Sequence, residues 1–385
     1  MPRKSRLILC YLLLSATLVL GQPGASSAPL SSVPAARLAH LRRGINTSAW
    51  FSQLGDPKNY TKEHLQQHTT ADDIALIKRM GFDNIRLSVD PQPMFSRGHA
   101  DALPAEYLGY LDHAVDMILQ QHLAVTIDIH PESEFKQKLA TDDAFVEQFA
   151  DFWRALALHY SQLDPDYVFF EVMNEPEMRD RYRWAGIQTK LLAAIREGAP
   201  QNTVILAGAR WSDDDDLLFV DPVRDANVIY NFHFYDPHVF THQGATWSEN
   251  YWHEIKDLPY PSNRESAEKA LGSVADPVNQ LQVLRYGLEH WDGARIEGEI
   301  AFMADWARRV NVPLLCNEFG VYRLNSDAHD RAQWLADVRT SLERHGIGWA
   351  MWDYSGGFGV VTKPNGKAEP DPVTLKALGL GAETK

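Results

Sequence analysis

The chain is poor in cysteine. Its 385 residues include only Cys10 and Cys316. Cys10 lies in a short apolar run near the N-terminus, so an exported mature chain would keep one thiol. No intrachain disulfide then holds the fold, and no thiolate cluster is available for a metal. Stability has to come from a large hydrophobic core, which this length allows. Basic charge is also scarce. Thirty-seven Lys and Arg face 51 Asp and Glu, a formal balance of −14. That balance disfavours nucleic acid and anionic membrane as partners and tolerates neutral ligands. No glycine-rich phosphate loop follows the first strand, which argues against an open doubly wound sheet. The longest apolar run, 7–20, is too short to span a bilayer comfortably.

That run follows Arg3, Lys4 and Arg6 and precedes small residues. Together they predict a signal peptide over 1–28, with cleavage after Gly21 or Ala28. Residues 29–40, rich in Pro, Ser and Ala, read as a spacer, and 41–385 as one folded domain. The mature protein is expected to be secreted or periplasmic, off the membrane and monomeric.

Apolar periodicity alternates between the two regular forms. Strands are predicted at 43–51, 84–89, 124–130, 167–175, 203–209, 227–235, 312–320 and 348–354. Helical patterns fall at 72–80, 107–121, 143–160, 183–198, 296–310, 328–346 and 371–380. Eight strands separated mostly by helices predict a parallel sheet, and over this length an α/β fold consisting of a single (β/α)8 TIM barrel. The link from 236 to 292 is long. It carries Trp247, Tyr251, Trp252 and Tyr260, which predicts an ordered insertion after strand 6 that walls a cleft.

Active sites of such barrels gather at the C-terminal strand ends. The polar residues there are Arg86 on strand 2, His130 on strand 3, and Asn174 and Glu175 on strand 4. Strand 6 adds His233 and Tyr235, strand 7 Glu318 and strand 8 Trp352. Asn46 and Trp50 on strand 1 are weaker candidates. Glu175 and Glu318 end strands on opposite sides of the barrel. Carboxyls about 5 Å apart act as acid/base and nucleophile, whereas about 6.5–9.5 Å leaves room for a water and gives inversion. Singly, each residue has a plainer explanation: a rim salt bridge for Arg86, core histidines for His130 and His233, barrel packing for Trp352. Their joint placement at strand ends favours a site.

In combination these motifs resemble glycoside hydrolase family five. The match runs from Arg43-Gly44-Ile45-Asn46 through Asn174-Glu175-Pro176 and Glu318-Phe319-Gly320 to Trp352. The resemblance implies a retaining, metal-free mechanism without cofactor. Its substrate would be a β-linked polysaccharide or oligosaccharide, first of all a β-1,4-glucan cut internally, with β-mannan or mixed-linkage glucan as alternatives. One departure is Asn46-Thr47-Ser48-Ala49, where relatives commonly have a glycine-containing turn. Glu318 is the expected nucleophile, kept ionised by Arg86 and hydrogen-bonded by Tyr235. Glu175 is the expected acid/base; its pKa should start high, from burial and the charge of Glu318, with His233 as partner. Asn174 should hold the sugar 2-hydroxyl and His130 another hydroxyl, while Trp352 forms the floor of the cleavage subsite. Trp211, Trp247 and Trp252 would line outer subsites. A non-catalytic carbohydrate-binding barrel is the reading from another class, and the presence of both glutamates argues against it.

Several features have other expected roles. Glu171, Met173 and Glu175 share strand parity, so Glu171 should be a structural group inside the barrel. Cys316 shares the parity of Glu318 and should pack inside as well. His233, His238 and His242 match no zinc spacing. Asp213–Asp216 reads as a solvated loop, with calcium the other use. Asn46-Thr47-Ser48 and Asn59-Tyr60-Thr61 match glycosylation acceptors.

Overall fold

A computed structural model describes residues 31–95, 98–247 and 252–381. The predicted signal peptide and its cleavage sites lie outside the described residues, as does Tyr251. The strands are β1 (Arg43–Phe51), β2 (Asn84–Val89), β3 (Ala124–Ile129), β4 (Val168–Glu171), β5 (Val204–Ala207), β6 (Val228–Phe234), β7 (Leu314–Phe319) and β8 (Gly348–Met351). They close a barrel in sequence order, with every neighbouring pair parallel. This is the (β/α)8 barrel that the alternation predicts. Among the described residues no helix is long and apolar enough to cross a membrane.

Most of the long surrounding helices, Ala105–Gln120 excepted, start where side-chain caps satisfy their free N–H groups. Thr70 and Asp73 form a reciprocal capping box at Ala71–Met80, and Gly81, at φ 99°, ends it. Asp142, Asp180, Asp292 and Asp327 cap Asp143–Tyr160, Arg181–Gly198, Gly293–Val310 and Ala328–Arg344. The insertion between β6 and β7 contains the helices Arg264–Ala270 and Pro277–Glu289. Tyr260, expected on the cleft wall, is buried instead and donates its hydroxyl to Asp337. After β5 there is only the short helix Asp214–Leu217.

Part of the expected spacer belongs to the domain. Ala35–His40 is helical. Arg37 in it is buried, with Nε 2.8 Å from Asp166 and Nη1 donating to the Gln201 carbonyl and Thr203. A guanidinium anchored in this way ties the segment to the domain, which composition alone does not reveal.

The two faces of the barrel strands have different jobs. Ile85, Leu87, Val125, Ile127, Phe170, Val204, Phe232 and Met351 join the apolar shell shared with the helices. The inward face starts with a separate apolar layer of Leu41, Ala124, Phe169, Ile205, Ile229 and Leu315. Above it Asn46, Arg86, Asp128, Glu171, Asn231 and Asn317 are all buried. A polar layer survives inside a barrel only if its members bond one another, and these do. It is the platform beneath the catalytic rim.

Candidate active site

Arg86 organises the platform. Its Nε and Nη2 fork onto Glu171 at 2.8 and 2.7 Å. Nη2 also donates to Asn174 Oδ1 at 2.8 Å and lies 3.1 Å from Asp128. Nη1 donates to Glu318 Oε1 at 2.5 Å and to Asn46 Oδ1 at 2.9 Å. Burial alone would lower the Arg86 pKa, but Asp128, Glu171 and Glu318 hold it well above its ordinary value. The guanidinium is therefore a permanent cation beside Glu318. Burial pushes Asp128 up to about 6 even with Arg86 opposing it, and raises Glu171 as well.

Glu318 Oε2 accepts a 3.0 Å bond from the Tyr235 hydroxyl. Burial and the nearby Glu318 raise the Tyr235 pKa well above the phenol value, so the hydroxyl stays a donor. Glu318 reaches this position through a break in register. Phe232 pairs with Cys316, but His233 pairs with Glu318, leaving Asn317 as an extra residue. Cys316 consequently faces the outer apolar shell rather than the barrel interior. The expectation that it shares the direction of Glu318 fails because strict alternation does not pass through a bulge. Burial also pushes its thiol well up, leaving it unreactive.

Strand 4 departs from its expected length in a similar way. Regular pairing stops at Glu171 instead of 175. Asn174 N donates to the Ile129 carbonyl, and Glu175 takes a positive φ of 43°. Parity with Glu175 therefore says nothing about Met173, which packs in the outer shell. Glu171 lies in the interior as a bonded structural group, as expected.

Glu175 keeps 28% of its side chain exposed, and its Oε1 lies 2.9 Å from His233 Nδ1. The same nitrogen is 3.5 Å from Glu318 Oε2. Burial opposes charge on both members of the Glu175–His233 pair, yet their mutual attraction wins. Glu175 falls below the ordinary carboxylate value, through the His233 hydrogen bond and charge, while His233 rises through Glu318 and Glu175. This corrects the expectation of a high starting pKa for Glu175. The proton of the free site rests on His233, a partner whose charge outweighs burial. One oxygen of Glu175 and one of Glu318 lie within 4.8 Å of each other.

His130 is held as a neutral ring. Nδ1 lies 2.9 Å from Asp128, while Nε2 faces the amide nitrogens of Asn174 at 3.1 Å and Gln53 at 3.3 Å. Nδ1 therefore carries the hydrogen and Nε2 accepts. Burial lowers its pKa to about 3. Trp352 stacks beside it, with ring centroids 5.7 Å apart and planes 19° apart. The expected departure at residues 46–49 is an irregular stretch inside β1, where its register with β2 shifts, and it joins the same wall because Ser48 Oγ donates to Asp353 next to Trp352.

Two strand 1 expectations change. Trp50 is 1% exposed and donates Nε1 to the Leu65 carbonyl at 2.8 Å, so it belongs to the core and not to the site. Asn46 is fully buried. Its Nδ2 donates to the carbonyls of Asn317 and Met351, and its Oδ1 receives Arg86. It supports the site, and the fold excludes a glycan on it. Trp211 and Trp247 are exposed at 47% and 57%. Trp247 leans on Tyr322, with centroids 4.7 Å apart, and Trp211 N donates to the Pro176 carbonyl beside Glu175. Among the described residues, no grouping of potential metal ligands includes His238, His242 or the Asp213–Asp216 run. Asp216 accepts from the backbone of Ala209 and pairs with Arg181. Sequence reasoning missed Asp128, Gln53 and Asn317. The Asp128-x-His130 spacing, which puts both on one strand face, could have revealed the first. No sequence signal marks the other two.

Facing carboxylates at this separation, on the C-terminal rim of a parallel barrel, define a glycoside hydrolase. The family model of cellulase (glycosyl hydrolase family 5) matches residues 43–357, and the chain belongs to that family. It is 28% identical over 327 residues to Endoglucanase C of Acetivibrio thermocellus, covering 82% of this chain and 92% of that protein. Cellodextrinase A of Ruminococcus flavefaciens is 26% identical, over 79% of this chain and 83% of that one. In fold it is similar to endoglucanase Cel5A of Thermotoga maritima, with a TM-score of 0.71 and 24% identity over 89% of this chain and 98% of that one.

Proposed function

We propose that the protein is a retaining endo-β-1,4-glucanase acting outside the cytoplasm, with Glu318 as nucleophile and Glu175 as acid and base. The observation that carries this reading is the spacing of the two carboxylates, within 4.8 Å at their nearest ligand oxygens. Retention uses a gap of about 5–5.5 Å, and inversion needs a wider one. The relatives named endoglucanase support the β-1,4-glucan, and the basic-then-apolar N-terminus supports export.

Each residue has a task in the double displacement. A sugar chain entering the cleft excludes water from Glu175 and disfavours the charged pair. The proton then crosses from His233 Nδ1 to Glu175 Oε1. Glu318 attacks the anomeric carbon, the glycosidic C–O bond breaks, and the leaving oxygen takes the proton from Glu175. Arg86 and Tyr235 position Glu318 for attack by occupying one oxygen each. Asn174 meets the 2-hydroxyl, a contact that strengthens as positive charge develops on the ring. Water then gives its proton to Glu175 and attacks the anomeric carbon, breaking its bond to the Glu318 oxygen and releasing the carboxylate. Trp352 packs against the C–H face of the sugar. Trp211 and Trp247 extend the contact to neighbouring units.

The test is hydrolysis of barley β-glucan, carboxymethylcellulose, mannan, xyloglucan and xylan, with the product anomer followed by NMR. The expected result is fastest cleavage of a β-1,4-glucan, with a rapid viscosity drop and the β-anomer appearing first. An initial α-anomer refutes retention, and mannan as the preferred substrate refutes the glucan assignment.

A further inference from the structure

Glu171 lies below the rim, and its side chain bonds only to groups of the barrel interior. It nonetheless accepts four hydrogen bonds. Oε2 receives Arg86 Nε at 2.8 Å and Asn317 Nδ2 at 2.6 Å. Oε1 receives Arg86 Nη2 at 2.7 Å and Asn231 Nδ2 at 3.2 Å. One carboxylate therefore holds both the cation that faces Glu318 and the bulge residue that precedes it. The Asn317 carbonyl is held from the other side by Asn46 Nδ2 at 2.9 Å.

The bulge matters because of strand geometry. Cys316 points to the helix shell, so an unbroken β7 would send Asn317 inward and Glu318 outward. One extra residue reverses that direction for Glu318. Such a bulge leaves an unpaired residue, and its side chain needs a fixed partner. Glu171 is that partner, reached from β4 across the barrel.

We propose that Glu171 and Asn317 form a positioning clamp that holds the β7 bulge and thereby aims Glu318 at the anomeric carbon. The proposal rests on the reading of Glu318 as nucleophile. Neither clamp residue touches substrate. Asn317 holds the backbone of its neighbour, and Glu171 holds Asn317 and orients the guanidinium. The charged and titratable groups facing Glu171 are Arg86 from β2, Asp128 from β3 and His233 from β6.

The test uses 2,4-dinitrophenyl 2-deoxy-2-fluoro-β-cellobioside, which traps the nucleophile as a stable ester and needs no acid. The labelled peptide is identified by mass spectrometry. Wild type is expected to carry the label on Glu318. In Asn317→Ala and Glu171→Gln the labelling rate should fall about 100-fold, as for an ångström-scale misplacement. Their affinity for a non-hydrolysable thio-cello-oligosaccharide should stay within about twofold, because the sugar contacts remain. Asn317→Asp gives a second readout. Its carboxylate repels Glu171 at high pH, but once protonated it can donate as the amide did. Its labelling rate relative to wild type should therefore rise at least about tenfold from pH 8 to pH 5. Because a folding defect of Asn317→Asp would also recover in acid, the rate is taken per folded protein, with the folded fraction measured by tryptophan fluorescence at each pH. Should Asn317→Ala fail to fold, the pH dependence of Asn317→Asp decides alone. A wild-type label on Glu318 with variant rates within about threefold of wild type overturns the clamp and leaves the nucleophile standing. A label on another residue overturns the nucleophile assignment and the clamp with it.

Discussion

Replacing Arg86 by Met should expose how much of the barrel interior depends on one cation. Arg86 makes five hydrogen bonds, to Glu171 twice, Glu318, Asn46 and Asn174. Asp128 adds an ion pair at 3.1 Å. Methionine fills similar space but leaves three buried carboxylates without their shared guanidinium, with the His233 imidazolium, 3.5 Å from Glu318, as the opposite charge that remains in the layer. Breaking one buried pair costs about 3–5 kcal/mol, and that range is expected here at pH 8. It is a large share of a total stability of roughly 5–15 kcal/mol. Lysine restores one charge and at most three donors without the fork, so Arg86→Lys should recover only part. The size of the loss should also depend on pH. Burial already holds Asp128 at about 6 and Glu171 above its usual value. Without Arg86 both rise further. An acid whose folded pKa lies above its unfolded value costs stability above that pKa and nothing where both states are protonated. The deficit should therefore shrink as pH falls from 8 to 5. Urea titrations of both proteins at both pH values, followed by tryptophan fluorescence, measure it as a shift in midpoint at constant slope. A deficit below about 1 kcal/mol, or one of equal size at pH 5 and pH 8, would refute the view of Arg86 as the charge on which the layer depends.

Glu175→Ala should lose roughly 10²–10⁴-fold in turnover of β-glucan, the usual worth of a general acid. It should still be glycosylated by a dinitrophenyl cellobioside, and added azide should accelerate turnover by forming the β-glycosyl azide; no rescue by azide would remove Glu175 from the acid/base role. The raised pKa of His233 places the loss of its proton above the ordinary histidine value of about 6.5. Activity should therefore persist past that pH and fall as pH rises through the His233 pKa, a limb that His233→Gln shifts to the pKa of Glu175 itself. A kcat/KM profile with the same basic limb in both proteins contradicts the proton route. Trp247→Ala should raise KM for long cello-oligosaccharides several-fold without changing thermal stability. Trp50→Phe should do the opposite, since it loses the bond to Leu65 and costs about 1 kcal/mol of stability. A KM increase in the second variant would return Trp50 to the site.

Much of the site was legible because its side chains sit at strand ends, and strand ends show in the apolar pattern. Arg86, His130, Asn174, His233, Tyr235, Glu318 and Trp352 were placed that way. Trp50 was misplaced because position on a strand does not reveal depth, and the helix carrying Leu65 covers it. Asn46 matched a glycosylation acceptor because a tripeptide carries no record of burial. Gln53 went unseen because it reaches His130 from an irregular turn, at φ 58°. The Glu175 pKa was expected to be high because burial was counted without the imidazolium at 2.9 Å.

Short-range physics, written in the order of residues, determined the alternation, the helix caps, the closed barrel and the choice of two glutamates. Period-2 and period-3.6 patterns and aspartate caps act over a few residues and need no partner. Tertiary structure alone decided the direction of Glu318, the protonation of Glu175 and the stapling of Ala35–His40 to the domain. Those depend on groups far apart in the chain, such as Glu171 with Asn317, 146 positions away, and His233 with Glu175, 58 away. A hydrogen bond or an ion pair works only at contact distance, and only the closed barrel brings such groups into contact.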